Sequence, residues 1–270
     1  MNKTEMRNEK TKNIDKETTL GMLQLIQDEN YNSVKAIDSA LPSIEKACDE
    51  IYKRMKDGGR LIYMGAGTSG RLGVIDAVEC PPTYGVSQEL ISGLIAGGYD
   101  RMVTAAENAE DSGENGIKDL SAKNITPLDT VFGISAAGNA AYVAEALKYA
   151  REKGCLTVGL SCNKGSRLDL ESDISIVTDT GAEPITGSTR MKAGSAHKMV
   201  LNMISTCVMV KLGHVYENLM INVKPTNIKL RNRVISIVME LTDYDEVQAV
   251  LALEKNDWSI RKTVDEYMSI

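Results

Sequence analysis

The sequence predicts an α/β protein: a doubly wound, mostly parallel sheet flanked by helices, with an N-terminal helical segment and a small C-terminal helical module. Three observations point there. Short, continuous apolar runs recur along the chain, namely Leu61-Ile62-Tyr63-Met64, Thr130-Val131-Phe132-Gly133-Ile134, Leu156-Thr157-Val158-Gly159-Leu160 and Ile174-Ser175-Ile176-Val177. A strand that is apolar throughout, rather than at every second position, is covered on both faces, as in parallel sheets. The first runs lead into loops of glycine, serine and asparagine, two of them followed by helical stretches, which is the strand-loop-helix grammar of such folds. Finally, 270 residues at 43% hydrophobic composition suffice for one large core, or a core plus a small module.

Before the first strand, Val34, Ile37, Leu41, Ile44, Cys48, Ile51 and Met55 recur at steps of three and four, which places them on one face of a helix or helix pair. Pro42 breaks or restarts that helix. Residues 1–57 are thus expected to pack as a helical segment on a main domain of 58–222. A long helix is predicted from 187 to about 213. Lys224-Pro225-Thr226 reads as a turn, and 223–270 as small helices with Val247, Val250, Leu251 and Leu253 on an apolar face.

A formal charge of -6 without Lys/Arg clusters argues against nucleic acid and anionic membranes as partners. The five cysteines are scattered without a C-x-x-C pair, so neither a disulfide framework nor a zinc ribbon is expected, and a reducing cytoplasm fits. Two histidines, His197 and His214, make a histidine-rich metal site unlikely on composition, and no metal is expected. The first twenty residues are polar and mixed in charge, unlike a secretory signal. The most apolar helix candidate, 199–212, is too short to span a bilayer.

Gly65-Ala66-Gly67-Thr68-Ser69-Gly70 follows the first run. Such a loop lets backbone N–H groups approach an anion at a helix N-terminus, and it serves equally as a plain structural turn. Gly65, Gly67 and Gly70 also satisfy G-x-G-x-x-G, so NAD binding stays as an alternative. The ribose-binding acid is ambiguous between Glu79 and Glu89, and Pro81-Pro82 interrupts the unit before a second strand. That double proline, just after a helix, would hold Glu79 at a defined exit point. Downstream lie Glu107, Glu110, Asp111 and Glu114. Glu107 and Glu110 share a face if helical, and a solvated face is the ordinary role of such acids.

Longer stretches carry a resemblance. Leu61-Ile62-Tyr63-Met64-Gly65-Ala66-Gly67-Thr68-Ser69-Gly70-Arg71-Leu72-Gly73 and Asp76-Ala77-Val78-Glu79-Cys80-Pro81-Pro82-Thr83-Tyr84-Gly85 resemble the signature of the N-acetylmuramic acid 6-phosphate etherases, of the sugar isomerase (SIS) domain class. Gly93-Leu94-Ile95-Ala96-Gly97-Gly98, Ala106-Glu107-Asn108-Ala109-Glu110-Asp111 and Ile185-Thr186-Gly187-Ser188-Thr189-Arg190-Met191-Lys192-Ala193-Gly194 agree with it.

The resemblance implies a cofactor-free lyase that opens the sugar, removes the C2 proton, expels D-lactate from C3 and adds water. One carboxylate takes a proton acidified by the adjacent aldehyde, and a second, protonated carboxyl serves the departing oxygen. By analogy Glu79 is the general acid and Glu110 the second catalytic carboxylate, read as the base. Phosphate is expected on Gly67, Thr68 and Ser69, on Ser135, Gly138 and Asn139 of the second loop, and on Ser188, Thr189 and Lys192 at the long helix. N-capping is the plainer role for Ser188 and Thr189. A homodimer is likewise implied. His197 stands where the family more often has Gln, and a packing role is expected. The second loop departs from the family's Ser-Gly-Arg-Thr-Pro: here Ala137-Gly138-Asn139-Ala140-Ala141 lacks two hydroxyls and a guanidinium. That departure keeps a second expectation open, a sugar-phosphate sensor like the glucokinase regulatory proteins.

Overall fold

The computed structural model describes residues 2–105, 108–225 and 227–269. Glu107 and Thr226 therefore lie outside the described residues, and with them the shared face proposed for Glu107 and Glu110 and the end of the Lys224-Pro225-Thr226 turn.

Helix α1 (Thr19–Asp38) is capped by the Thr18 hydroxyl, which accepts from Gly21 N–H. Pro42 sits in the first turn of α2 (Leu41–Lys56), where its missing N–H costs nothing, so it restarts the helix. Ile37, Ile44, Cys48, Ile51 and Met55 are buried, whereas Val34 and Leu41 are exposed. Then follow β1 (Leu61–Gly65), α3 (Gly67–Tyr84), β2 (Ile91–Ile95), α4 (Gly113–Ser121), β3 (Thr130–Ile134), α5 (Ala141–Glu152), β4 (Leu156–Ser161), α6 (Arg167–Glu171), β5 (Ile174–Val177) and α7 (Lys192–Lys211). The sheet is parallel throughout, in the order β2-β1-β3-β4-β5.

Both faces are covered, as the apolar runs require. Leu61 and Tyr63 face one cluster with Ile51 of α2, Ala77 of α3 and Val200, Ile204 and Val208 of α7. Ile62 and Met64 face the other, with Leu120 of α4 and Val143 and Leu147 of α5. The last three helices, α8 (Ile228–Leu241), α9 (Glu246–Lys255) and α10 (Ile260–Met268), bury Val234, Val238, Leu253 and Ile260 in a third cluster that also takes Ile221 and Val223.

Three expectations are revised. A fifth strand, β2, exists where none was expected, because Ser92 and Gly93 interrupt its apolar run. Gly93 is needed there, since a Cβ would lie 2.8 Å from Val74 backbone atoms of α3. Secondly, Pro81 and Pro82 do not follow α3 but lie inside its last turns, and they do not prevent the second strand. The helix ends instead at Gly85, whose N–H bonds to Pro81 C=O at 2.9 Å in a left-handed conformation with φ of 69°. Thirdly, the long helix begins at Lys192 rather than near 187, and the reason lies at its N-terminus, described below.

Candidate active site

From β1 the chain crosses to one neighbour, β2, and then returns to the opposite side at β3. Where strand order reverses in this way, the loops diverge and leave a crevice at the carboxyl ends of the strands. A cavity of about 300 Å³ occupies it, lined by Gly67, Thr68 and Ser69 after β1 and by Ser135, Ala136 and Ala137 after β3. Thr189, His197, Glu110 and Glu5 also line it.

The first loop is shaped by close approach. A Cβ on Gly70 would stand 2.5 Å from the Gly65 carbonyl oxygen, and one on Gly65 2.5 Å from Gly70 N, so two bare backbones meet where α3 leaves the sheet. No side chain caps α3 at Ala66. The N–H groups of its first turn, which have no partner within a helix, are therefore available at the crevice, beside the Thr68 and Ser69 hydroxyls.

The head of α7 differs. Both carboxylate oxygens of Glu183 accept its leading N–H groups, from Lys192 and Ala193, each at 2.9 Å. Glu183 is fully buried, and desolvation raises its pKa although those N–H bonds act in the opposite sense. An internal carboxyl group thus fills the position at the head of α7 that was expected to hold phosphate, and it sets where the helix begins.

The expected phosphate residues separate accordingly. Gly67, Thr68, Ser69, Ser135 and Thr189 meet in the cavity. The Ser135 hydroxyl accepts from Gly138 N–H at 3.1 Å, which leaves its own proton to donate. Gly138 and Asn139 are behind the wall rather than in it. Gly138 turns the loop with φ of 78°, and the exposed Asn139 accepts from Arg167 N–H at 3.1 Å. Ser188 is half-buried and lies outside the cavity lining. Lys192 is the clearest revision: it is buried and ion-paired with Glu29, facing a different groove near the N-terminal segment. Burial would raise Glu29, but hydrogen bonds from Lys192 and Asn8 and the Lys192 charge together hold it below the usual carboxylate range. Breaking such a buried pair for a ligand would strand one charge.

Glu110, in a tight turn over Ala109–Asp111, borders the cavity. Glu79 does not. It is twelve residues beyond Gly67 on α3, about 18 Å along the helix axis, exposed beside Ile75 and Val78. Within one chain the two acids share no described cavity. His197 is fully buried, hydrogen-bonded to Cys162 Sγ at 3.4 Å, and desolvation lowers its pKa to about 4. That favours the neutral imidazole, which lines the cavity while its side chain is almost wholly buried.

Residues the sequence reading did not single out are Glu5, Glu29, Glu183 and Asp76. Asp76 is buried and accepts from Tyr63 Oη at 2.9 Å, Asn202 Nδ2 at 2.6 Å and Ser205 Oγ at 3.2 Å, tying α3 to β1 and α7. An acid between the apolar Val74-Ile75 and Ala77-Val78 was the available signal. Among the described residues no helix is long and apolar enough to cross a membrane.

Comparison with known proteins agrees with this fold. The model of the SIS domain matches residues 102–207, and that of the glucokinase regulatory protein N-terminal SIS domain matches 43–151. An N-acetylmuramic acid 6-phosphate etherase of Clostridium beijerinckii is 51% identical over 97% of this chain and 86% of its own length. The chain belongs to the N-acetylmuramic acid 6-phosphate etherase family. The Bacillus subtilis etherase is 50% identical over the same shares. In fold, the chain is similar to a phosphoheptose isomerase from Francisella tularensis, with a TM-score of 0.52 at 15% identity over 71% of this chain and 98% of that one. The etherase resemblance read from the residues therefore extends over nearly the whole chain.

Proposed function

We propose that the chain cleaves the D-lactyl ether of N-acetylmuramic acid 6-phosphate, giving N-acetylglucosamine 6-phosphate and D-lactate. The observation that carries this reading is an uncapped helix head with two hydroxyls and a carboxylate, Glu110, in one crevice of a chain half identical to named etherases. The phosphate sits on Gly67, Thr68 and Ser69, with Ser135 and Thr189 donating from the other walls. Ser188, Gly138 and Asn139 act behind them by shaping the loops.

In the opened sugar, Glu110 takes the C2 proton, and the electron pair passes toward the aldehyde. The C3–O bond then breaks, its electrons leaving with the lactate oxygen, which receives a proton from Glu79. Water adds at C3 to complete the product. The separation of the two acids in one chain supports a homodimer in which Glu79 enters a partner's crevice. Exposed Ile75 and Val78 beside it, with Met203 and Val210 on the adjoining α7, supply an apolar surface of the kind a second copy covers. Five unpaired cysteines suit a reducing cytoplasm.

The deciding experiment is incubation with the muramic acid phosphate in deuterated water, following lactate release and C2 exchange. The expected result is release by the unaltered protein. Glu110→Gln should lose both signals, by about a hundredfold or more, whereas Glu79→Ala should keep exchange and lose release. Loss of both in Glu79→Ala would remove its role as acid. The hydroxyl-poor second loop and the regulatory-protein domain match favour a second reading, a sugar-phosphate sensor. Saturable binding with no lactate would establish that one.

A further inference from the structure

A second cavity, of about 430 Å³, adjoins the first and shares Ala66, Gly67 and Glu110 with it. Its far wall carries two arginines from different elements. Arg71 is one turn into α3, and Arg101 lies in the 3-10 turn after β2. Both reach Thr104: Arg71 Nη2 donates to its carbonyl at 2.9 Å and Arg101 Nη1 to its hydroxyl at 3.1 Å. The two guanidiniums are thus anchored on one residue and line the same cavity. Gly97, with φ of 84°, makes room for the Arg101 stem, since a Cβ there would lie 3.0 Å from Arg101 Cγ.

Among the described residues neither arginine has a carboxylate within salt-bridge distance. Among the described residues the buried Arg101 Nε has no partner, and neither Nη1 of Arg71 nor Nη2 of Arg101 finds a hydrogen bond. Two like charges lining one cavity favour an anion between them, and a guanidinium fork matches a carboxylate better than any other side chain does.

We propose that Arg71 and Arg101 form a carboxylate subsite that holds the lactyl arm of the substrate and distinguishes muramic from glucosamine phosphates. The inference rests on the etherase reading and deepens it. Such a substrate carries a phosphate at C6 and a carboxylate on the C3 ether. The crevice offers donors for the first, the arginines receive the second, and Glu110 lies on the wall common to both cavities, where C2 and C3 must then fall. After cleavage the sugar product has no carboxylate and loses that hold, so it leaves more easily than the substrate did.

The test compares N-acetylmuramic acid 6-phosphate with its lactyl carboxamide, which removes the charge and keeps the shape. In the unaltered protein, neutralising the carboxylate should lower kcat/KM about 10- to 100-fold, chiefly through KM. Arg101→Gln should already be slow on the acid and should lose less than about threefold more on the amide. Arg101→Lys, which keeps the charge but not the fork, should fall between. An amide penalty as large in Arg101→Gln as in the unaltered protein would overturn the subsite and reduce the arginine to a loop anchor. Should Arg101→Gln fail to fold, Arg71→Gln carries the same comparison. If the unaltered protein releases no lactate, the etherase reading fails separately, and the acid-amide ratio is read from calorimetric dissociation constants instead. Equal affinities for acid and amide would then sink the subsite too.

Discussion

His197 and Asp76 are both buried ionisable groups, and their stability effects run in opposite directions with pH. His197 has a pKa of about 4 in the fold against 6.5 for the free side chain, so between those values the unfolded chain binds more protons. Its contribution is complete above about pH 6.5 and is lost as pH falls toward 4, at most about 3 kcal/mol. Urea denaturation at pH 7 and about pH 4.5 should show that loss, and His197→Gln should remove it. An unchanged slope in the variant would mean that the imidazole is not its source. Asp76 is raised by burial, which outweighs bonds from Tyr63, Asn202 and Ser205. Here the folded state holds the proton longer, so stability is lost as pH rises through the folded pKa. Asp76→Asn should flatten that dependence, whereas Asp76→Ala deprives Tyr63 on β1 and Asn202 and Ser205 on α7 of their shared acceptor and should cost about 3 kcal/mol.

Two helices that point into the same crevice have opposite terminal chemistry. At α7, Glu183 replaces a local cap with a carboxylate nine and ten positions away from the N–H groups it binds. Glu183→Ala should therefore destabilise the fold by about 2 kcal/mol and fray the first turn of α7, with Glu183→Gln milder. Amide hydrogen exchange at Lys192 and Ala193 would register the fraying, and unchanged protection would show that the cap is dispensable. At α3, Gly70→Ala drives a methyl group to 2.5 Å from the Gly65 carbonyl oxygen. The helix must then move off the sheet, at a cost of about 1–3 kcal/mol, and phosphate affinity should fall with it. Calorimetry with N-acetylglucosamine 6-phosphate reads that loss directly. The glycine spacing that resembles a dinucleotide fingerprint is accounted for by this contact between strand and helix.

On the scale of the whole molecule, the separation of Glu79 from Glu110 predicts a measurable property of mixtures. Neither Glu79→Ala nor Glu110→Gln alone should release lactate at an appreciable rate. If sites form across a subunit boundary, dissociating and reassociating the two together should restore roughly a quarter of the activity, because half of the sites in half of the dimers are then complete. No recovery in a mixture that demonstrably exchanges subunits would exclude the shared site. Ile75→Asp should shift the protein toward monomer in sedimentation and lose activity in parallel. The C-terminal helices have their own buried cluster, which reaches back to Ile221 and Val223. A module boundary at 222/223 would cut through that cluster, so a truncation retaining 1–215 should leave the α/β core better folded than one ending at 222.

Much of the fold was legible because its signals are local. Continuous apolar runs identified four of five strands, and Gly65, Gly67 and Gly70 marked the turn at which α3 leaves the sheet. The edge strand β2 escaped because its glycine answers to Val74 on a packed helix, not to its sequence neighbours. The sequence by itself determined the parallel sheet, the glycine loop and the etherase family, since each is written in adjacent residues. Only the tertiary structure decided which polar groups are free to act. Lys192 is taken by Glu29, 163 positions away, and α7 is closed by Glu183. Two arginines face one cavity with no carboxylate in salt-bridge distance among the described residues. The physical reason is that a charge is spent on whatever the fold brings within a few ångströms, and proximity in space between distant positions is not encoded in any short stretch of chain.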